Sequence, residues 1–197
     1  MTIKVGINGM GRIGRMVIRA IIESKNKNIE IKHINNRSNS EASCTLIKYD
    51  SVHGKFDADL GFDKDHLIIN KNKITFSQES KIEDINWKKF DVDYVFECTG
   101  KFNSKDKLLA HIKNGAKKVI VSAPCKDADK TIVYGVNENL LTKDDQIVSA
   151  ASCTTNCLAP VANILNENFE IEKGFMTTIH AFTSDQRILD NSHKDPR

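Results

Sequence analysis

The most constraining feature of the sequence is a glycine-rich loop near the N-terminus, Gly9-Met10-Gly11-Arg12-Ile13-Gly14. Residues 3–7 before it alternate like a buried strand, and apolar residues recur at helical spacing after it. A glycine loop between a strand and a helix is the fingerprint of a dinucleotide-binding βαβ unit. Gly9 permits the tight turn, Gly11 lets a pyrophosphate approach the backbone, and Gly14 lets the helix pack closely. The alternative is a glycine turn in an unrelated α/β protein.

Strand and helix patterns alternate along the first 150 residues. Strands are predicted at 3–7, 29–35, 93–97, 118–122, 132–134 and 146–148, with a hairpin at 67–76. Helices are predicted after the glycine loop, from the capping-box spacing of Ser38 and Glu41 to Lys48, and at 104–114, where Gly115 ends the helix. The alternation predicts an α/β fold with a doubly wound, mainly parallel sheet of the Rossmann type.

The sequence divides into a dinucleotide-binding domain at 1–151 and a second segment at 152–197. This second segment offers a helix at 153–165, a strand at 175–181 and a polar tail. So short a segment rarely holds a core of its own. We therefore expect it to be the incomplete N-terminal part of an α+β catalytic domain.

Composition excludes several classes of protein. The net charge of +3 is too small to indicate nucleic acid binding, and no apolar run is long enough to span a membrane. The N-terminus runs directly into a strand pattern, and the five cysteines are irregularly spaced, so we expect no signal peptide and a reducing, cytoplasmic location. The Cys153 and Cys157 pair lacks a second pair of ligands, so no metal site is expected.

A nucleophilic pattern surrounds Cys153, and His180 follows it in the chain. Cys153 stands at the start of a predicted helix, where the helix dipole and backbone N–H groups favour the thiolate. His180, at the end of a predicted strand, can supply a base and later an acid. Together with a dinucleotide loop, this pair predicts oxidation of an aldehyde through a thioester. Cys157, one turn later, is expected to be a small buried residue or, alternatively, a redox partner.

The end of the second strand bears on the choice of cofactor. An acidic residue there binds the ribose of NAD and repels the 2′-phosphate of NADP, but this chain has Asn36, Arg37 and Ser38. Arg37 and Ser38 are suited to a phosphate, so NADP is slightly favoured over NAD. The alternative is that Asn36 binds the ribose of NAD while Arg37 points to solvent. Thr99 and Ser122, at later strand ends, are expected cofactor contacts or ordinary polar residues.

Five segments together resemble the phosphorylating glyceraldehyde-3-phosphate dehydrogenase family: 8–15, 48–54, 97–100, 151–160 and 180–183. The resemblance implies oxidation of glyceraldehyde 3-phosphate with inorganic phosphate to 1,3-bisphosphoglycerate, in glycolysis or gluconeogenesis, by a homotetramer. It also implies site residues: Cys153 and His180 for catalysis, Ser152, Thr154 and Thr183 for substrate, and Arg12, Ile13, Asn36 and Ser122 for cofactor.

Two departures from the family pattern stand out. NAD-dependent members usually carry aspartate at the position of Asn36, and a basic residue of a later cofactor loop is replaced near residues 79–80. Two alternative functions stay open at this point. One is erythrose-4-phosphate dehydrogenase, which Thr183 disfavours, and the other is a dinucleotide-binding fragment without catalysis.

Overall fold

The computed structural model describes residues 2–181 and residue 183. Their strands are β1 (Ile3–Asn8), β2 (Ile29–Asn35), β3 (Tyr49–Asp50), β4 (Gly54–Lys55), β5 (Leu60–Asp63), β6 (His66–Ile69), β7 (Asn72–Ser77), β8 (Tyr94–Glu97), β9 (Lys118–Val121), β10 (Lys130–Thr131) and β11 (Ile147–Ser149). Their helices are α1 (Arg12–Glu23), α2 (Ser40–Lys48), α3 (Lys105–Lys113) and α4 (Cys153–Phe169), with short 3-10 helices at Ile82–Asp84 and Glu138–Leu140.

Internal contacts divide the chain into two compact units, Met1–Pro160 and Val161–Arg197. The sequence-based domain boundary after residue 151 stays a prediction. Within the described residues, no helix is both long enough and apolar enough to cross a bilayer.

The main sheet confirms the predicted doubly wound topology. Within the described residues its strand order is β10-β11-β9-β8-β1-β2-β7-β6-β5. The strands from β10 to β7 pair in parallel, and β6 pairs antiparallel with both β5 and β7. The chain runs outward from β1 through β2 and returns to β8 on the other side of β1. The carboxyl ends of β1, β2 and β8 therefore meet at the topological switch point, where ligands bind in such folds.

Two apolar clusters hold the sheet and its helices together. The first includes Ile7, Ile18 and Ile34 from β1, α1 and β2, and the second surrounds Trp87. These side chains are fully buried. The alternation of apolar residues in the strands and the apolar stripe of α1 thus meet across one interface, as the sequence periodicity requires.

The second helix begins differently from its prediction. The capping-box spacing placed its start at Ser38, but the observed cap is Asn39, whose side-chain oxygen accepts the Ala42 N–H at 2.9 Å. Asparagine caps helices as well as serine does. The difference moves the start of the helix by one residue and leaves Ser38 in the preceding loop.

The strand predicted at 132–134 is wrong. The pairing with β11 takes place at Lys130 and Thr131 instead. The Val133 N–H donates to the Asn137 side chain at 2.8 Å. This N–H is therefore used in a turn and does not extend the pairing with β11.

The strand predicted at 175–181 is also wrong, because this segment has no regular secondary structure. A strand persists only where a neighbour pairs with its backbone, and none does so within residues 2–181 and 183. The helix before it is longer than predicted. It continues past Leu165 to Phe169 and ends where Glu170 adopts a φ of 56°.

Trp87 generates a test of the core. A Cβ on Gly6 would lie 2.5 Å from the Trp87 ring, which is fully buried and cannot move aside. We expect Gly6→Ala to lower the free energy of unfolding by about 1–3 kcal/mol. Gly61→Ala is the control, since its Cβ would meet Ile68 at an ordinary 3.7 Å. Fluorescence of Trp87, the single tryptophan, reports both denaturant transitions. Equal midpoints for the two variants would contradict the packing described for Trp87.

Candidate dinucleotide site and nucleophile

A cleft of about 280 Å³ opens at the carboxyl ends of β1, β2 and β8. It is lined by Asn8, Gly9, Met10, Gly11, Asn35, Asn36, Arg37, Glu79, Ser80, Lys81, Ile85, Cys98, Thr99, Lys101 and Phe102. Five of the predicted cofactor residues are among them: Gly9, Gly11, Asn36, Arg37 and Thr99. Four others do not line this cleft: Arg12, Ile13, Gly14 and Ser122.

The three glycines of the loop differ in their surroundings. Gly9 has a φ of 95°, and a Cβ there would lie 2.8 Å from the Thr99 side chain. A Cβ on Gly14 would lie 2.0 Å from the Gly9 carbonyl oxygen, so the helix can approach the loop only without a side chain. A Cβ on Gly11 would meet no atom within 4 Å. The space above Gly11 is therefore open to a pyrophosphate.

Arg12 and Ile13 are the first two residues of α1, and their contact with a cofactor stays a prediction. Within the described residues, no side chain caps this helix N-terminus. Its first N–H groups have no acceptor inside the helix, and they carry the positive end of the helix dipole. Phosphates bind at such termini, so the residues present fit a dinucleotide without any contribution from the Arg12 or Ile13 side chains.

The Arg12 side chain is engaged elsewhere, in an ion pair with Asp50. Its Nη1 donates to both carboxylate oxygens, at 3.1 and 2.9 Å. The same carboxylate accepts the N–H groups of His53 and Val52, each at 3.0 Å. The His53 N–H, followed by that of Val52 and the Arg12 guanidinium, holds the pKa of Asp50 well below its usual range. The pair thus fastens the start of α1 to the β3–β4 hairpin.

A buried asparagine, Asn35, organises the floor of the cleft. Its Nδ2 donates to the Asn8 side chain at 2.9 Å and to the Glu79 carbonyl at 3.0 Å. Its Oδ1 accepts from the Ser77 hydroxyl and the Glu79 N–H, both at 2.8 Å. Asn35 therefore joins the ends of β1, β2 and β7. Sequence reasoning missed it, although asparagine at the ends of two apolar strands was an available signal.

Glu97 extends this network under the other side of the cleft. It is 1% exposed and accepts from Asn8 Nδ2 at 2.6 Å, from the Thr99 N–H at 2.8 Å and from the Thr99 hydroxyl. His111 Nε2 lies 3.1 Å from Glu97, and the Trp87 N–H donates to His111 Nδ1 at 2.8 Å. Because a tryptophan N–H can only donate, the Nε2 of His111 carries its hydrogen and donates to the carboxylate. Thr99 is thus held at the cleft by the buried side chain of Glu97.

Cys98 lines the cleft, whereas Ser122 does not. The Ser122 N–H donates to the Glu97 carbonyl at 3.0 Å, and its side chain forms a hydrogen bond with Cys98. Burial raises the pKa of the Cys98 thiol to about 12. Cys98 is therefore a neutral thiol at physiological pH and is unsuited to nucleophilic attack.

Asn36 and Arg37 form the outer end of the cleft. The Asn36 Oδ1 accepts the Met10 N–H at 3.2 Å, and its Nδ2 donates to Ser43 at 3.1 Å. The amide therefore fixes the glycine loop against α2. Arg37 is exposed, and its carbonyl accepts from the Gln78 side chain at 3.2 Å. This end of the cleft combines a neutral amide with an exposed guanidinium.

Cys153 is the first residue of α4, as the sequence predicted. Ser152 caps the helix by accepting the Thr155 N–H at 3.0 Å, and Asn156 Nδ2 donates to the Ala150 carbonyl at 2.7 Å. Ala151, just before the cap, has a φ of 60°, a strained conformation for a residue with a side chain. The Cys153 thiol is exposed at the positive end of the helix dipole.

Two other predicted residues of this region, Thr154 and Cys157, differ in exposure. Thr154 is half-buried in the first turn of α4, and Cys157, expected to be buried, is exposed. The reason is that α4 buries none of its residues within the described part of the chain.

His180 and Thr183 belong to the second unit, whereas Cys153 belongs to the first. His180 stands in irregular chain rather than at a strand end, and its Nδ1 donates to the Ala181 carbonyl at 2.5 Å. Thr183 is exposed. The catalytic pairing of Cys153 with His180 and the substrate role of Thr183 stay predictions.

Comparison with known proteins assigns the chain to a family. Residues 3–105 match the model of the glyceraldehyde 3-phosphate dehydrogenase NAD binding domain, and residues 152–197 match that of the family's C-terminal domain. The chain belongs to the glyceraldehyde 3-phosphate dehydrogenase family. This membership confirms the resemblance read from the sequence. It also agrees with a dinucleotide site at the glycine loop, which lies inside the first matched region.

Individual relatives carry the same name over nearly the whole chain. It is 51% identical over 195 residues to glyceraldehyde-3-phosphate dehydrogenase of Cereibacter sphaeroides and 49% identical over 199 residues to glyceraldehyde-3-phosphate dehydrogenase 2 of Bacillus subtilis. It is 48% identical over 198 residues to the Geobacillus stearothermophilus enzyme. The chain spans 58% of the length of each of these relatives. Their names favour the triose phosphate reading over the erythrose 4-phosphate alternative.

Substitutions at Gly14 and Gly11 can separate the packing of α1 from the binding of the pyrophosphate. We expect Gly14→Ala to lose both stability and dinucleotide affinity, because its Cβ would displace α1 from the Gly9 carbonyl. We expect Gly11→Ala to keep the wild-type unfolding midpoint but to lose affinity, because its Cβ would project into the space for the pyrophosphate. Calorimetric titration with NAD and NADP and thermal unfolding measure the two effects. Wild-type affinity in Gly11→Ala would refute the placement of the pyrophosphate.

Proposed function

We propose that the protein is a phosphorylating dehydrogenase that oxidises glyceraldehyde 3-phosphate to 1,3-bisphosphoglycerate with NAD or NADP. The observation that carries the proposal is the position of Cys153. It begins a capped helix, and Cys153 itself belongs to the same compact unit as the dinucleotide cleft. The names of the matched relatives supply the substrate. As in that family, the reaction belongs to central sugar metabolism.

The proposed chemistry starts at the Cys153 thiolate. Its sulfur adds to the aldehyde carbon to form a hemithioacetal, and His180 takes the thiol proton. The Cys153 backbone N–H and the N-terminus of α4 stabilise the oxyanion that develops on the former carbonyl oxygen. A nicotinamide cofactor held at the glycine loop would supply the hydride acceptor. Cys153 then carries a thioester, and attack by inorganic phosphate breaks the C–S bond to release the acyl phosphate and the thiolate.

Substrate contacts are assigned to Ser152, Thr154 and Thr183. Ser152 and Thr154 flank the nucleophile in sequence, so groups bound to them lie beside the reacting carbon. Ser152 also caps α4, which couples substrate contact to the helix that activates the thiol. Thr183 is assigned to the phosphate of the substrate. We further propose a homotetramer in the cytoplasm, where the five free cysteines stay reduced.

For the cofactor we propose NADP in preference to NAD. The support comes from the outer end of the cleft, where neutral Asn36 stands in place of a carboxylate and exposed Arg37 provides a cation. A carboxylate there would repel the 2′-phosphate of NADP, whereas a guanidinium binds phosphate through charge-assisted hydrogen bonds. The exposed hydroxyl of Ser38 adds a further donor beside Arg37.

The catalytic assignment predicts losses of kcat of different size for substitutions of Cys153 and His180. We expect Cys153→Ser to lower kcat by more than about 1,000-fold because the nucleophile is lost. We expect His180→Gln to lower it by about 100-fold or more because the base is lost. Cofactor affinity should stay at the wild-type value in both. Cys157→Ser, one turn along α4, is the control and should keep its activity. An active Cys153→Ser variant would disprove the thioester route.

The cofactor assignment predicts a reversal of preference. We expect the wild type to bind NADP more tightly than NAD, and Arg37→Ala to weaken NADP binding by about 10-fold. Asn36→Asp should weaken NADP binding and strengthen NAD binding, because the carboxylate accepts ribose hydroxyls and repels the 2′-phosphate. Calorimetric titration of each variant with both cofactors provides the measurement. Tighter binding of NAD by the wild type would overturn the preference for NADP.

A further inference from the structure

We propose that Lys81 is a second cation for the 2′-phosphate of NADP and that it forms a clamp with Arg37. The inference rests on the proposed NADP preference and deepens it by naming a residue from a different loop. Arg37 follows β2, whereas Lys81 follows β7, and both line the same cleft.

The two loops leave the sheet side by side. β2 and β7 pair in parallel, and their last residues, Asn35 and Ser77, are register partners. The Asn36 N–H then donates to the Ser77 carbonyl at 3.0 Å, beyond the end of the ladder. Gln78 Nε2 donates to the Arg37 carbonyl at 3.2 Å, so the backbone of Arg37 is tied directly to the β7 loop.

Asn35 fixes the β7 loop from below. It binds both the N–H and the carbonyl of Glu79, at 2.8 and 3.0 Å, and it is 3% exposed. The main chain of Glu79, two residues before Lys81, is therefore anchored to the buried end of β2. Both loops are therefore anchored to the same strand ends, and each contributes a cation, Arg37 or Lys81, to the lining of the cleft.

The charges in this region suit a phosphate dianion. Arg37 and Lys81 are exposed, and neither forms an ion pair within the part of the chain that the structure describes. The two side chains also differ in a useful way. Guanidinium offers a planar fork that binds two phosphate oxygens, and ammonium adds a compact charge on a flexible stem. Glu79 also lines the cleft, so a second cation offsets its charge.

The test measures the 2′-phosphate directly with two fragments, adenosine 2′,5′-bisphosphate and adenosine 5′-monophosphate. In the full-length protein, we expect Lys81→Ala to weaken binding of the bisphosphate by about 10-fold and to leave binding of the monophosphate unchanged. Its bisphosphate affinity should also depend less on salt concentration, because one screened charge contact is gone. Lys64→Ala, at an exposed lysine between β5 and β6, controls for the loss of one positive charge.

The outcomes separate the clamp from the cofactor preference. If Arg37→Ala weakens binding of the bisphosphate and Lys81→Ala does not, the preference for NADP stands and the clamp is refuted. If the wild type binds both fragments equally, the proposed cofactor preference fails before any variant is tested. If Lys81→Ala weakens binding of both fragments equally, the substitution disturbs the binding of adenosine in general, and the clamp is also refuted. Unfolding midpoints of all variants verify that each is folded.

Discussion

Three adjacent strands of the sheet end in residues whose side chains bind one another, and the rest of the site depends on this interaction. Asn8, Asn35 and Glu97 are the last residues of β1, β2 and β8. Asn8 lies between the other two, accepting from Asn35 and donating to Glu97. Buried polar groups are costly unless they are fully paired, so such a network fixes the relative positions of the strand ends.

The cleft is built on this base. Glu97 holds Thr99 beside Gly9, and Asn35 holds the loop after β7 beside the end of β2. The glycine loop closes on top, where the absence of a side chain at Gly14 lets α1 start close to the strand ends. The helix terminus, the open space above Gly11 and the exposed Arg37 follow from that arrangement. A dinucleotide cleft therefore arises from polar residues at strand ends that carry no chemistry themselves.

The sequence predicts the parts of the fold that are set by local pattern and fails where the chain depends on distant partners. The βαβ unit around the glycine loop, the parallel sheet and the first position of Cys153 in its helix follow from periodicity and from helix-start signals. The network of Asn35 and Glu97 was missed, since it includes pairs that are distant in sequence: Asn35 and Glu79 are 44 positions apart, and Asn8 and Glu97 are 89 positions apart. At 175–181 the local pattern predicts a strand that does not form, because an apolar pattern makes no strand without a neighbour to pair with. The apolar pattern also predicted His180 at a strand end, which the structure does not show. The pairing of His180 with Cys153 rests on the sequence and on the family.

We propose that this strand-end network shapes a cleft whose outer end accepts a 2′-phosphate. A crystal structure of the full-length protein with NADP tests it most directly. The account predicts the pyrophosphate over Gly11 at the start of α1 and the 2′-phosphate within hydrogen-bonding distance of Arg37. A dinucleotide bound with its 2′-phosphate in solvent, away from Arg37, would contradict the account. A pyrophosphate bound away from Gly11 would contradict it at its base.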